Sequence, residues 1–78
     1  KEPETALYGG KDGLLFYRII TEKWKTALKE KGILAFEVGI GEADAVSNIL
    51  RENGFIKITV KNDLCGIQRV VFGTVGNL

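Results

Sequence analysis

Ile33-Leu34-Ala35-Phe36-Glu37-Val38 is an almost unbroken apolar run without the alternation of a half-exposed strand. Such a run reads as a strand covered on both faces, of the kind found in sheets with helices packed against them. A segment of helical period lies on either side. Before it, Leu14, Tyr17, Ile20, Trp24, Ala27 and Leu28 recur at spacings of three and four, one face of a helix running to about Lys31. Asp12 stands where an N-cap carboxylate accepts from free amides, Lys29 and Lys31 lie where the helix dipole favours cations, and Gly32 follows as a stop. Trp24 continues the stripe, which predicts a core side chain. After the apolar run, Gly39-Ile40-Gly41 turns the chain and Glu42 and Asp44 open a second helix. Its buried face is Ala43, Val46, Ile49 and Leu50, and Asn53-Gly54 closes it.

Residues 56–61 alternate with period two, one face buried, and residues 62–66 form a turn from which residues 69–73 return as a last strand. Residues 1–11 carry Pro3, Gly9 and Gly10 with little periodicity and read as loop. The expected order is loop, helix, strand, helix, strand, strand: a right-handed crossover followed by an antiparallel hairpin. Three strands make a small sheet, and a strand covered on both faces implies a larger one than these residues contain.

Seventy-eight residues allow one domain at most, burying about 60% of the surface of the unfolded chain. With 45% hydrophobic and 27% charged residues, the balance is that of a folded domain rather than a disordered segment. A formal charge of +1 gives no electrostatic case for nucleic acid or membrane, and no apolar run approaches the length of a membrane-spanning helix. The single cysteine, Cys65, and the absence of histidine exclude the usual zinc site and any Ser-His-Asp or Cys-His pair from these residues. A lone thiol also fits a reducing cytoplasm. No methionine is present, so Lys1 is either a processed end or a boundary within a longer protein, and residues 1–11, which read as the middle of a loop, favour the boundary.

Glu37-Val38-Gly39-Ile40-Gly41 has the acid and paired glycines of a loop that lets a cofactor approach the backbone. The third glycine is missing, however, and Asp44 would oppose a pyrophosphate, so a plain glycine turn is the better reading. Glu37 is either a site residue at the carboxyl end of the sheet or a strand-end acid reaching solvent or pairing with Arg18 or Arg69. The lysines from Lys23 to Lys31 are interrupted by Glu22 and Glu30 and read as a solvated helix face.

More specific is the block Glu2-Pro3-x-x-Ala6-Leu7-x-Gly9-Gly10-x-Asp12-Gly13-Leu14-x-Phe16-Tyr17-Arg18. It is followed by Gly32-Ile33-Leu34-Ala35-Phe36-Glu37-Val38-Gly39, Ala45-Val46, Gly54-Phe55, Asp63-Leu64-x-Gly66 and Arg69-Val70-Val71. In order and spacing these residues resemble a segment of the HemK/PrmC family, S-adenosylmethionine-dependent enzymes that methylate the side-chain amide of glutamine in peptide-chain release factors. Gly41-Glu42 departs from the acidic residue and glutamine of many members.

The resemblance implies an α/β fold: the C-terminal part of a class I S-adenosylmethionine-dependent, Rossmann-like methyltransferase sheet, with two helices and three strands ending in an antiparallel hairpin. It implies S-adenosylmethionine as cofactor and a release factor as partner of the parent enzyme. It places Glu2, Pro3, Ala6 and Leu7 near the substrate pocket and assigns no catalytic, cofactor-binding or metal residue here. Neither the family's Asn-Pro-Pro-Tyr motif nor its glycine-rich cofactor loop occurs in the sequence, so these residues alone are expected to be inactive. The alternative is a stand-alone small α/β protein-interaction module. The resemblance also sets residues 33–38 beside a preceding strand, and a free edge there predicts self-association.

Overall fold

Six elements follow one another in the computed structural model, which describes residues 5–8, 14–28 and 31–76. They are β1 (Thr5–Tyr8), α1 (Leu14–Ala27), β2 (Ile33–Glu37), α2 (Ala43–Glu52), β3 (Phe55–Asn62) and β4 (Gln68–Val75). The strands form one sheet in the order β1-β2-β4-β3. β1 runs parallel to β2, and β4 is antiparallel to both β2 and β3. β2 and β3 therefore point the same way with the returning strand between them. The α/β class, the two helices and the terminal hairpin are as the sequence predicts.

The strand count is not. Residues 5–8, expected as loop, are β1, and β2 is not a free edge. The reason lies in β2 itself, where Leu34, Ala35 and Phe36 are all buried. Backbone amides and carbonyls in so dry a place must be paired, and β1 pairs them in the register Thr5↔Ile33 to Tyr8↔Phe36. On the other side β4 runs from Ile33↔Thr74 to Glu37↔Val70, extended by Val38 N–H donating to Arg69 O at 2.9 Å.

Both helices pack on one face of this sheet. Tyr17 and Leu28 from α1 and its C-terminal end join Ala43, Val46, Ile49 and Leu50 from α2 over Ala6, Leu34, Phe36, Val38, Phe55 and Val71. The α1 stripe is shifted from the expected one. Tyr17 and Thr21 are fully buried, Ile20 and Trp24 are half-buried at the margin, and Leu14 and Ala27 are exposed. Trp24 thus borders the core rather than filling it. Thr21 Oγ1 is buried without a hydrogen-bond partner. Asp12, the expected N-cap, and Lys29 lie outside the described residues. The left-handed position after α1 falls on Lys31, at φ 69°, rather than on Gly32. α2 follows the sequence closely, with Asn53 as its C-cap and the Asn53 side-chain amide donating to Ile49 O at 2.8 Å.

β3 does not alternate cleanly. The register slips between Ile56↔Thr74 and Thr59↔Phe72, where Lys57 takes φ 55°. The extra residue is a β-bulge, which re-aims the side chains on either side of it. Ile58 and Val60 pack against the core, whereas Ile56 is turned away and exposed. Gly73 makes room for this: a Cβ there would sit 2.6 Å from Ile58 Cδ1 and 3.3 Å from Ile56 O. Gly73→Ala is therefore expected to lower stability by about 1–3 kcal/mol through overpacking. Adding Ile58→Val, which removes the clashing methyl, should recover part of the loss. Chemical denaturation of the single and double variants checks both, and additive losses would place the strain elsewhere.

Candidate functional site

The carboxyl ends of the parallel strands β1 and β2 lie side by side, and both helices begin at that end. In open α/β sheets this is where ligands bind. The turn from β2 into α2 is built on Gly39-Ile40-Gly41-Glu42, closed by Glu42 N–H donating to Gly39 O at 3.1 Å. Gly41, at φ 84°, supplies the positive φ that such a turn requires at its third residue. Glu42 occupies the N-cap place of α2 but has helical backbone angles, φ −97° and ψ −8°, and caps no amide of its own helix.

Its carboxylate turns back instead. Glu42 Oε1 accepts from Gly39 N–H at 3.0 Å and from the Tyr17 hydroxyl at 2.9 Å. The same hydroxyl lies 3.4 Å from Glu37 O. A Cβ at Gly39 would come within 3.0 Å of Glu42 Oε1, so the glycine is what lets the carboxylate close on the backbone. Tyr17 is fully buried in the first turn of α1. Its ring meets Phe36 of β2 edge-on, centroids 5.1 Å apart at 88°, and Phe16 at 5.7 Å and 72°. A buried tyrosine needs a partner for its hydroxyl, and that need is the signal a sequence reading of Tyr17 as plain core overlooks.

This geometry bears on the cofactor reading of residues 37–41. The Gly39 amide already holds the Glu42 carboxylate, so that donor of the turn is taken by the chain's own side chain. Glu37 is exposed at the end of β2. Arg18 pairs with Glu52 at 3.5 Å and Arg69 with Asp63 at 2.8 Å, so neither is the expected partner of Glu37. Of the residues set near the substrate pocket, Glu2 and Pro3 lie outside the described residues. Ala6 and Leu7 fall on β1, opposite Leu34 and Ala35, and Ala6 is buried beneath the helices. Among the described residues no helix is long and apolar enough to cross a membrane.

No family model matches the chain. It is 48% identical over 77 residues to the release factor glutamine methyltransferase of Clostridium acetobutylicum, covering 99% of this chain and 27% of that protein. It is 47% identical over 70 residues to the enzyme of the same name from Thermodesulfovibrio yellowstonii, covering 90% of this chain and 25% of that protein. Its fold superimposes with a TM-score of 0.67 on the crystal structure of a release factor-specific protein-(glutamine-N5) methyltransferase from Alicyclobacillus acidocaldarius, at 34% identity over 85% of this chain and 42% of that one. The chain is thus similar, in sequence and in fold, to a C-terminal portion of the class I methyltransferase sheet. The resemblance to the HemK/PrmC methyltransferases is borne out along nearly its whole length. The chain spans about a quarter of the length of the two relatives named.

The carboxylate with the clearest electrostatic role lies at the same end of the sheet but two strands away, in the β3–β4 turn. Asp63 Oδ2 accepts from Arg69 Nε at 2.8 Å, and Oδ1 accepts from the amides of Cys65 at 2.8 Å and Ile67 at 3.0 Å. The bond from Arg69 does most to hold the Asp63 carboxyl below its usual range, the Ile67 amide comes next, and the Cys65 amide adds to them against the effect of burial. A depressed carboxyl contributes stability that is complete above its unfolded pKa and is lost as pH falls through the lower folded value. The hairpin is therefore expected to loosen in acid, below about pH 4. Amide exchange at Cys65 and Ile67 against pH reads this out, and Asp63→Asn should already show faster exchange at neutral pH. Acid-independent exchange in the unsubstituted chain would show that the turn holds without the charge.

Proposed function

We propose that this chain forms the C-terminal part of an S-adenosylmethionine-dependent methyltransferase that methylates the side-chain amide of a glutamine in a peptide-chain release factor. The observation that carries this reading is the 48% identity over 99% of the chain to a protein so named. An amide nitrogen is a poor nucleophile, so the reaction depends on holding amide and methyl donor in a productive geometry. The described residues are not read as the cofactor's site: in the glycine turn at the carboxyl end of β2, the Gly39 amide is already taken by Glu42. The sequence also lacks Asn-Pro-Pro-Tyr and a glycine-rich cofactor loop. In this reading the rest of the enzyme supplies the methyl donor site, and this chain supplies the second half of the sheet. Glu2, Pro3, Ala6 and Leu7 are the proposed substrate-proximal residues, with Ala6, buried as it is, acting through its main chain. A cytoplasmic location is part of the same proposal.

Titration calorimetry of the chain with S-adenosylmethionine is expected to give no more than weak binding, whereas the longer enzyme should bind the cofactor and methylate a release factor glutamine. Micromolar binding by the chain, abolished by Gly39→Val, would return the cofactor to the β2–α2 turn and overturn this division of labour.

A second reading, a stand-alone α/β interaction module, is favoured by one observation: the chain fills both edges of β2 from its own residues. The two readings differ over self-association, which the fragment reading expects of the isolated chain. With β2 enclosed, the surface for a second copy moves to β1, which among the described residues pairs only with β2. It adjoins the sheet face away from the helices, where Ile33, Val70 and Phe72 are half-buried and Ile56 is exposed. Light scattering over a concentration series should show a mass rising above the monomer. A strictly monomeric mass would favour the stand-alone module.

A further inference from the structure

We propose that Glu42 is a positioning residue for methyl transfer, acting through Tyr17 to hold the first turn of α1 against the carboxyl end of β2. This rests on the functional reading above and adds a role to residues which that reading leaves without one. Glu42 departs from what its place calls for. At the start of α2 a side chain that caps its own helix would satisfy an amide otherwise left to water. Glu42 instead spends one carboxylate oxygen on two donors outside the helix, Gly39 N–H at 3.0 Å and Tyr17 O–H at 2.9 Å. Three elements meet at that oxygen: the first turn of α1, the end of β2 and the start of α2.

The place of this contact gives it a function beyond stability. Tyr17 lies three residues after Leu14, where the chain that leaves the carboxyl end of β1 at Tyr8 enters α1. β1 is fixed by its register on β2, and α1 is fixed there by a fully buried tyrosine whose ring is set edge-on to Phe36. The contact thus sets the spacing between the start of α1 and the strand ends beside which an open α/β enzyme binds its substrate. A displacement of about 1 Å in a positioning element can cost about a hundredfold in rate. The chemistry of the contact is acceptor chemistry: one oxygen accepts two hydrogen bonds, and an amide oxygen in the same place would accept them too. The charge is not what the geometry requires.

The test uses the full-length enzyme that carries this chain, assayed for methyl transfer to a release factor glutamine. Glu42→Ala and Tyr17→Phe are expected to lower kcat about ten- to a hundredfold, with KM for S-adenosylmethionine unchanged. Glu42→Gln should retain a kcat close to the unsubstituted value. Gly73→Ala serves as control, since its added methyl meets Ile58, Ile56 and Phe55 and none of the residues of the contact, and should leave kcat unaltered well below its melting point. Wild-type kcat in Glu42→Ala, or a loss in Gly73→Ala equal to that in Glu42→Ala at matched stability, overturns the inference and leaves the functional reading standing. An unsubstituted enzyme that transfers no methyl group to glutamine overturns the functional reading and the inference with it.

Discussion

The structure depends on one constraint, that β2 is buried through its middle and so must be hydrogen-bonded along both edges. Leu34, Ala35 and Phe36 are buried in succession, which leaves their backbone groups no water to turn to. β4 meets this need on one side by running back antiparallel between β2 and β3, and β1 meets it on the other. The helices follow from the same strand. Leu34 and Phe36 face the side on which α1 and α2 pack, and Phe36 in turn fixes the ring of Tyr17. What stands at the carboxyl end of β2 is therefore built on the strand's own burial.

How much of this is legible in the sequence depends on how local the cause is. α2 is read almost residue for residue, because Ala43, Val46, Ile49 and Leu50 have one period and Asn53-Gly54 ends it locally. The α1 stripe is read less well: Thr21 takes a core position that its hydroxyl argues against, and Trp24 stays at the margin. β1 is invisible to periodicity. Four residues of mixed character beside Gly9-Gly10 look like loop, and only the need of a strand some thirty residues later makes them extended. The bulge in β3 is hidden for a similar reason. Ile56, Ile58 and Val60 spell a perfect alternation, but the bare surface of Gly73 on β4 draws Ile58 over it and slips the register by one.

The candidate site divides in the same way. The glycine turn after β2, the acid at the start of α2 and the buried tyrosine are each plain in the sequence; that Glu42 joins them is a tertiary fact without local trace. Glu37 is the opposite case. It stands out in the sequence as a charge in an apolar strand, yet in the fold it sits exposed at the strand's end, and the two arginines read as its partners pair with other acids. A conspicuous residue can have a bland place, and a bland one can hold three elements together.

The pairing of β1 with β2 is the claim on which the rest stands, and nuclear magnetic resonance of the isotope-labelled chain tests it directly. Cross-strand proton contacts are predicted between Ala6 and Leu34 and between Tyr8 and Phe36, with slowed exchange at alternate amides of residues 5–8. Exchange there at the rate of an unstructured peptide, without those contacts, would contradict it and return β2 to the edge of the sheet.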